Sequence, residues 1–431
     1  MPTDNIHHRH WKPILLAGAA WLLAAAAGAQ AQAAPRSVVA AGAAPTAAGT
    51  PAAGTPAAGT PSAGTPVAGA PAANHSSQAG STRALRVSEL ASELDHPWSL
   101  AFLPGKEGIL ITERPGALRL WRPDTGLQSP ISGVPKVYAK SQGGLLDVAL
   151  APDFAQSRRV YLSYAESGRS GKAGTTVGYG RLSEDGRSLA DFTVIFRQEP
   201  KLSTGEHFGS RLVFDKQGYL FIALGENNQR PTAQDLDKLQ GKVVRLHADG
   251  RIPDDNPFVG RSGARPEIWS YGHRNQQGAA LNPWTGELWT HEHGPRGGDE
   301  VNIPKAGRNY GWPIATRGIN YSGFAIPEAK GASAAGMEDP VYYWKVSPAI
   351  SGMAFYDAQR FPEWKHSLFI GALKERALIR LQLDGDKVVG EERLLEDRDQ
   401  RIRDVRVGPD GYLYVLTDHA KGQLLKVGLR N

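Results

Sequence analysis

The amino-acid sequence predicts an all-β protein, a six-bladed β-propeller with four-stranded blades. Three observations carry this reading. One pattern returns six times: an alternating strand, a turn holding Asp, Pro, Asn or Gly, and a second apolar strand. Further strands follow several copies, namely ALRLW from Ala117, KVVRLHADG from Lys242, ALIRLQLDG from Ala377 and GQLLKVGL from Gly422. They give about four strands per repeat at a spacing of roughly 50–70 residues, the arithmetic of blades set around an axis. No long helical periodicity competes, and a pair of β-sandwiches would not explain six similar units.

The chain opens on something else. Arg9 and Lys12 precede an apolar run over residues 14–27, and Ala-Gln-Ala follows. A positive front, an apolar centre and small residues at the cleavage point read as a secretory signal peptide over residues 1–33. The run is short for a membrane anchor, which needs roughly 20 apolar residues. Residues 34–83, in which Ala-Gly-Thr-Pro recurs from Ala48 to Pro66, have almost nothing large to bury and are expected to form a disordered linker. The propeller is expected over residues 84–431. Its six copies begin SLAFLPGKEGILITE at Ser99, DVALAPDF at Asp147, SRLVFDKQGYLFIALGE at Ser210, GAALNPWTGELWTHEHG at Gly278, SGMAFYDAQRF at Ser351 and RDVRVGPDGYLYVLTD at Arg403. Each first strand alternates with period two, and each turn holds residues that accept tight backbone geometry.

Composition narrows the function. The 431 residues include 50 Gly and 30 Pro but no Cys, which excludes disulfides, thiolate metal sites, iron–sulfur clusters and a lipoprotein anchor. The net charge of +6 comes without a dense Lys/Arg run, so nucleic acid is not an expected partner. No later segment is apolar enough to span a bilayer, so the mature protein is expected to lack an integral membrane span and to be exported, periplasmic or secreted.

In a propeller, function gathers on loops near the axis. Four such segments are rich in chemical groups. TGEHFGSRL holds His207, whose imidazole can take a proton near neutral pH; a structural histidine is the alternative. YGHRNQQG holds Arg274 and Asn275, and Arg274 can stabilise an oxyanion or simply pair with an acid. HEHGPRGGDEVN places His291 and His293 on one strand face, which admits a transition metal. Its Gly294 and Pro295 carbonyls, with Asp299 and Glu300 close by, suit Ca²⁺ better, though an ordinary turn reads the same way. Lys374, Arg401 and Arg403 form the fourth group. Arg401 and Arg403 point to one side of an extended segment and suggest an anionic ligand, unless the upstream run from Glu396 to Asp399 neutralises them.

Together these segments resemble the soluble aldose sugar dehydrogenases that depend on pyrroloquinoline quinone (PQQ). The resemblance runs over most of the propeller, on QGGLLDVALAPDF at Gln142, EHFGSRL at Glu206, GHRNQQG at Gly272, EHGPRGGDEVN at Glu292, NYGWP at Asn309 and RIRDV at Arg401. It implies oxidation of an aldose at C1 to the lactone, with hydride transfer to the quinone and electrons passed to an external acceptor of cytochrome or quinone type. It implies His207 as base, Arg274 and Asn275 near the reactive carbonyl, and Lys374, Arg401 and Arg403 as the cations holding the cofactor's carboxylates. Gln142 matches a sugar-contacting position. Gly294 and Pro295 match carbonyl ligands of an active-site Ca²⁺ supported by Asp299, and Glu300 with the Tyr310 carbonyl matches a second, structural Ca²⁺ site. His293 stands where the glucose-type branch has Gln, and the residues around Tyr321–Met337 match poorly. Two other readings stay open: a Ca²⁺-dependent sugar-lactone hydrolase, which needs no tricarboxylate clamp, and a non-catalytic binding propeller.

Overall fold

The computed structural model describes residues 84–203 and 205–430; the predicted signal peptide and linker lie outside them. Among the described residues the strands form six four-stranded antiparallel sheets. All six sequence copies supply the first two strands of a sheet. Blade one begins with Pro97–Phe102 and Ile109–Glu113, and blade two with Leu145–Leu150 and Arg159–Ser167. Blade three begins with Gly209–Phe214 and Tyr219–Leu224, and blade four with Gln276–Leu281 and Leu288–Glu292. Ile350–Tyr356 and Ser367–Ala372 start blade five, and Ile402–Val407 and Leu413–Thr417 start blade six. The first strands touch one another in chain order, and that of blade one touches that of blade six, so they form a closed inner ring. Apolar side chains fill the space between neighbouring sheets, as where Leu118, Val148 and Leu162 pack together.

The repeat pattern assigns no role to the segment before the first copy. The structure does: Leu85–Leu94 is the outer strand of blade six and pairs with Gly422–Leu429, so the two ends of the propeller close one sheet.

Each inner strand carries a β-bulge near its start. The register slips between Pro97 and Ser99, Leu145 and Val148, Gly209 and Arg211, Gln276 and Gly278, Ile350 and Met353, and Ile402 and Asp404. A bulge inserts one extra residue and re-aims its side chain. Six in register therefore turn a set of side chains out of the blade plane at one end of the ring.

Just below the bulges, Arg211 closes the axis. It pairs with Asp147 at 3.3 Å and Asp404 at 3.1 Å, and Arg406 pairs with the same two carboxylates at 3.3 and 3.1 Å. Ser99 also donates to Asp147, and Arg211 Nε donates to the Gln277 carbonyl at 2.8 Å. The matching positions in blades four and five are Gly278 and Gly352. A methyl group there would fall 2.1 Å from His291 Nε2 and 1.9 Å from Asp404 Oδ1, so only glycine fits. Arg211, four residues after His207 in the TGEHFGSRL segment, thus belongs to the axis.

Candidate active site

A cavity of about 550 Å³ opens on the face where the inner strands begin. Its wall follows from the fold. Trp98, Leu146, Gln277 and Arg403 are residues displaced by the bulges. Arg114, His293, Leu373 and Asp418 are each the first residue beyond the second strand of blades one, four, five and six. Of the predicted site residues, Gln142, Asn275, Arg401 and Arg403 line the cavity; His207, Arg274 and Lys374 do not, although Phe208 and Leu373 do.

His207 directly precedes Phe208 in the chain and is buried. Its Nδ1 meets Glu226 Oε2 at 2.7 Å, and its backbone N–H donates to Gln142 Oε1 at 3.0 Å. A carboxylate on Nδ1 holds the proton there and leaves Nε2 as the basic nitrogen. The His207 backbone is left-handed, at φ 52°. Asn227 holds it so: its backbone N–H and side-chain Nδ2 both donate to the His207 carbonyl, at 3.2 and 3.1 Å. Gly225 lets the two segments meet, since a methyl group on it would fall 2.0 Å from that carbonyl oxygen. Glu226 and Asn227 escaped the sequence reading; the signal available was an acid and an amide just past the second strand of the third copy. Asn275 Oδ1 accepts from Gly209 N–H and Gln277 Nε2, both at 3.2 Å, joining blades three and four beside His207.

Arg401 and Arg403 do converge, but on a carboxylate of the chain itself. Their Nη2 atoms reach Asp418 Oδ2 at 2.8 and 2.9 Å. The expected neutralising run lies elsewhere, with its Asp399 paired to Arg376 at 2.7 Å. Burial by itself would raise the Asp418 carboxyl, yet Arg403 and Arg401 hold it well below the usual carboxylate range. Burial also lowers the Arg403 pKa, and its Nε is buried without a hydrogen-bond partner. Lys374 is exposed on the turn after Ser367–Ala372; Arg401 Nη1 donates to the carbonyl of its neighbour Leu373 at 3.3 Å. Sequence reasoning also missed Arg114, His96 and His419 on the wall. With Arg114, Arg401 and Arg403 against Asp418, the cavity is cationic before any histidine is counted.

The remaining predicted residues form a polar side of blade four. Arg274 Nη1 donates to the carbonyls of Gly294 at 2.9 Å and His293 at 3.2 Å, while its Nε is buried without a partner. Asp299 Oδ1 accepts the Gly294 N–H at 3.0 Å and its Oδ2 accepts from Ser347 Oγ at 2.8 Å, so this acid braces the Gly294–Pro295 turn. Glu300 sits directly across the strands from Glu292. Burial, then the charge of Glu292, pushes its carboxyl up to about 8. Asn302 Nδ2 bridges both carboxylates, at 3.1 and 3.2 Å, while Asn302 Oδ1 is buried without a partner. His273 bonds Glu292 at 2.9 Å and stacks on Tyr310 with ring centroids 4.7 Å apart.

The transition-metal reading of His291 and His293 fails. The His291 ring is wholly buried against Gly278, which holds its pKa well below the ordinary value. His293 Nε2 bonds the Ile350 carbonyl. Among the described residues no three His, Asp or Glu side chains are grouped to hold a metal ion.

Comparison with known proteins agrees with this architecture. The family model for glucose/sorbosone dehydrogenases matches residues 94–426. The aldose sugar dehydrogenase YliI of Escherichia coli K12 is 67% identical over 347 residues, 80% of this chain and 94% of that protein. The crystal structure of the soluble E. coli aldose sugar dehydrogenase in its apo form superposes with a TM-score of 0.80 at 67% identity, covering 80% of this chain and all of that one. A PQQ-bound aldose sugar dehydrogenase from Streptomyces coelicolor superposes at 0.66 with 29% identity, covering 80% of this chain and 99% of that one. From its second strand to its last blade, the chain belongs to the glucose/sorbosone dehydrogenase family.

Proposed function

We propose that the protein oxidises aldose sugars at C1 to the lactone, with PQQ and Ca²⁺ as cofactors, and passes the electrons to an acceptor outside the cytoplasm. The observation that carries this is an oriented imidazole, His207 on Glu226, beside a cationic cavity in a chain of this family. When bound, the quinone supplies a two-electron, hydride-accepting group and Ca²⁺ supplies a Lewis acid.

The residues fit both. The unpartnered Nε of Arg403, with Arg401, Arg114 and the exposed Lys374, offers donors to a ligand carrying several carboxylates. The Gly294–Pro295 turn would supply hard carbonyl oxygens to a cation, and Arg274, anchored on the Gly294 carbonyl, would add a fixed positive charge beside a bound quinone. At the second site, the Glu300 carboxyl beside Glu292 and the unpartnered Asn302 Oδ1 would suit a divalent cation that relieves their like charges, with the Tyr310 carbonyl as a further donor. His207 takes the proton of the anomeric hydroxyl at Nε2, and Glu226 stabilises the imidazolium that results. Gln142 holds the His207 backbone with Oε1 and leaves Nε2 to the sugar. A lactone hydrolase would have no use for the Arg401–Arg403 pair. Removal of residues 1–33 on export completes the reading.

The test is reconstitution. Purified apo-protein mixed with PQQ and Ca²⁺ should reduce a redox dye when given aldoses. His207→Ala should lower kcat by about 10²–10⁴-fold, with quinone binding followed by absorbance largely retained. Full turnover in that variant would defeat the assignment of the base.

A further inference from the structure

The arginine pair of the cavity already holds an anion, Asp418, and the register of blade six puts it there. Arg401 immediately precedes Ile402–Val407, Asp418 immediately follows Leu413–Thr417, and the two strands pair Ile402 with Thr417. The ladder runs one step further, since the Asp418 N–H donates to the Arg401 carbonyl at 2.8 Å. The bulge between Ile402 and Asp404 brings Arg403 to the cavity wall beside them. Backbone hydrogen bonds, rather than a choice of rotamer, therefore set one carboxylate against two guanidiniums.

The contacts leave little of the pair open. Arg401 Nε and Nη2 reach Asp418 Oδ2 at 3.2 and 2.8 Å, and Arg401 Nη1 donates to the Leu373 carbonyl at 3.3 Å. Arg403 Nη2 reaches the same carboxylate oxygen at 2.9 Å, and its Nη1 reaches Gln277 Oε1 at 3.3 Å. Of the two guanidiniums, Arg403 Nε alone has no partner. His96 Nδ1 stands 3.4 Å from the other carboxylate oxygen. The Asp418 side chain is 10% exposed. Burial opposes its charge, yet Arg403 and Arg401 keep it ionised.

Two guanidiniums side by side without a counterion make a fork for phosphate, sulfate or a single carboxylate. In this chain the fork is filled from within. A carboxylate that is tethered and already oriented competes at an effective concentration that a free anion does not match. The donors left over are Arg403 Nε, Arg114 on the cavity wall and the exposed Lys374. They come from blades six, one and five. A small anion at Arg403 meets the charge of Asp418, and at Arg114 or Lys374 it finds a single cation. A ligand with several carboxylates on one frame can engage all three together.

We propose that Asp418 sets the anion selectivity of the cavity: it closes the Arg401–Arg403 fork to phosphate and simple carboxylates and reserves the remaining donors for a ligand bearing several carboxylates. The identity of that ligand rests on the dehydrogenase reading above, whereas the exclusion of small anions does not.

The test is calorimetric titration of the full apo-protein with inorganic phosphate at pH 7. Wild type is expected to bind phosphate weakly, and Asp418→Asn at least about tenfold more tightly. Adding Arg401→Gln to that variant should abolish the gain, which locates the phosphate at the fork. Where loss of the carboxylate weakens the fold, melting temperatures read the same site. Phosphate in place of chloride at equal ionic strength should stabilise Asp418→Asn and leave wild type unchanged. PQQ binding followed by absorbance gives a second arm: phosphate should weaken it in Asp418→Asn and not in wild type. A wild type that takes up no PQQ yet excludes phosphate would sink the dehydrogenase reading and uphold the role of Asp418. Equal phosphate affinities in wild type and Asp418→Asn would overturn the proposal, as would a gain that survives Arg401→Gln.

Discussion

At the scale of single residues, the site depends on side chains whose importance lies in a partner far away in sequence. His207 was legible as a candidate base, because few residue types move a proton near neutral pH. Its orientation was not, because Glu226 and Asn227 act through a close approach that only Gly225 permits. The Arg401–Arg403 pair was legible as an anion site for the same reason that its counterion was not. Two guanidiniums two residues apart announce themselves locally, whereas Asp418 comes from the end of the neighbouring strand. Asp418 carries a pH signature. Its folded-state pKa is depressed, so its contribution to stability is present above the ordinary carboxylate range and fades as pH falls below it. Asp418→Asn should therefore lower stability at pH 7 and flatten the loss of stability between about pH 4 and pH 2. Urea titrations of both proteins across that range check this, and parallel curves would refute it.

At the scale of elements, the bulges do what the alternating pattern cannot record. A strand that reads as a clean period of two gives no warning that one residue near its start is displaced, since the extra residue leaves composition untouched. Trp98, Leu146, Gln277 and Arg403 nevertheless reach the cavity by this device. The pairing of Leu288–Glu292 with Asp299–Asn302 shows the other side of register. It sets Glu292 opposite Glu300, an arrangement that is unfavourable by itself and becomes favourable around a cation. Adding Ca²⁺ to metal-free protein should raise its melting temperature by a few degrees. Glu300→Gln should be at least as stable as wild type without Ca²⁺ and should lose most of that shift. Differential scanning calorimetry decides it, and an undiminished shift in the variant would place the cation elsewhere.

At the scale of the whole molecule, the number of blades was legible because each pairs an alternating first strand with a largely apolar second strand buried on both faces, and all six copies survive as recognisable text. What joins the blades was less so. Arg211 reads as a neighbour of the base, yet it ties Asp147 of blade two and Asp404 of blade six across the axis. Replacing it by Met should leave two buried carboxylates short of a shared cation and cost about 3–5 kcal/mol. Equilibrium unfolding measures this, and a loss below 1 kcal/mol would show that Arg406 alone suffices.

The pairing of Leu85 with Leu429 has a consequence for how the molecule is made. A ribosome emits the first of these partners hundreds of residues before the second, so the circle cannot lock until the second has emerged. Until then two strand edges of blade six stay unpaired. The later strand, Gly422–Leu429, is thus the latch, and trimming it would leave Leu85–Leu94 with nothing to grip.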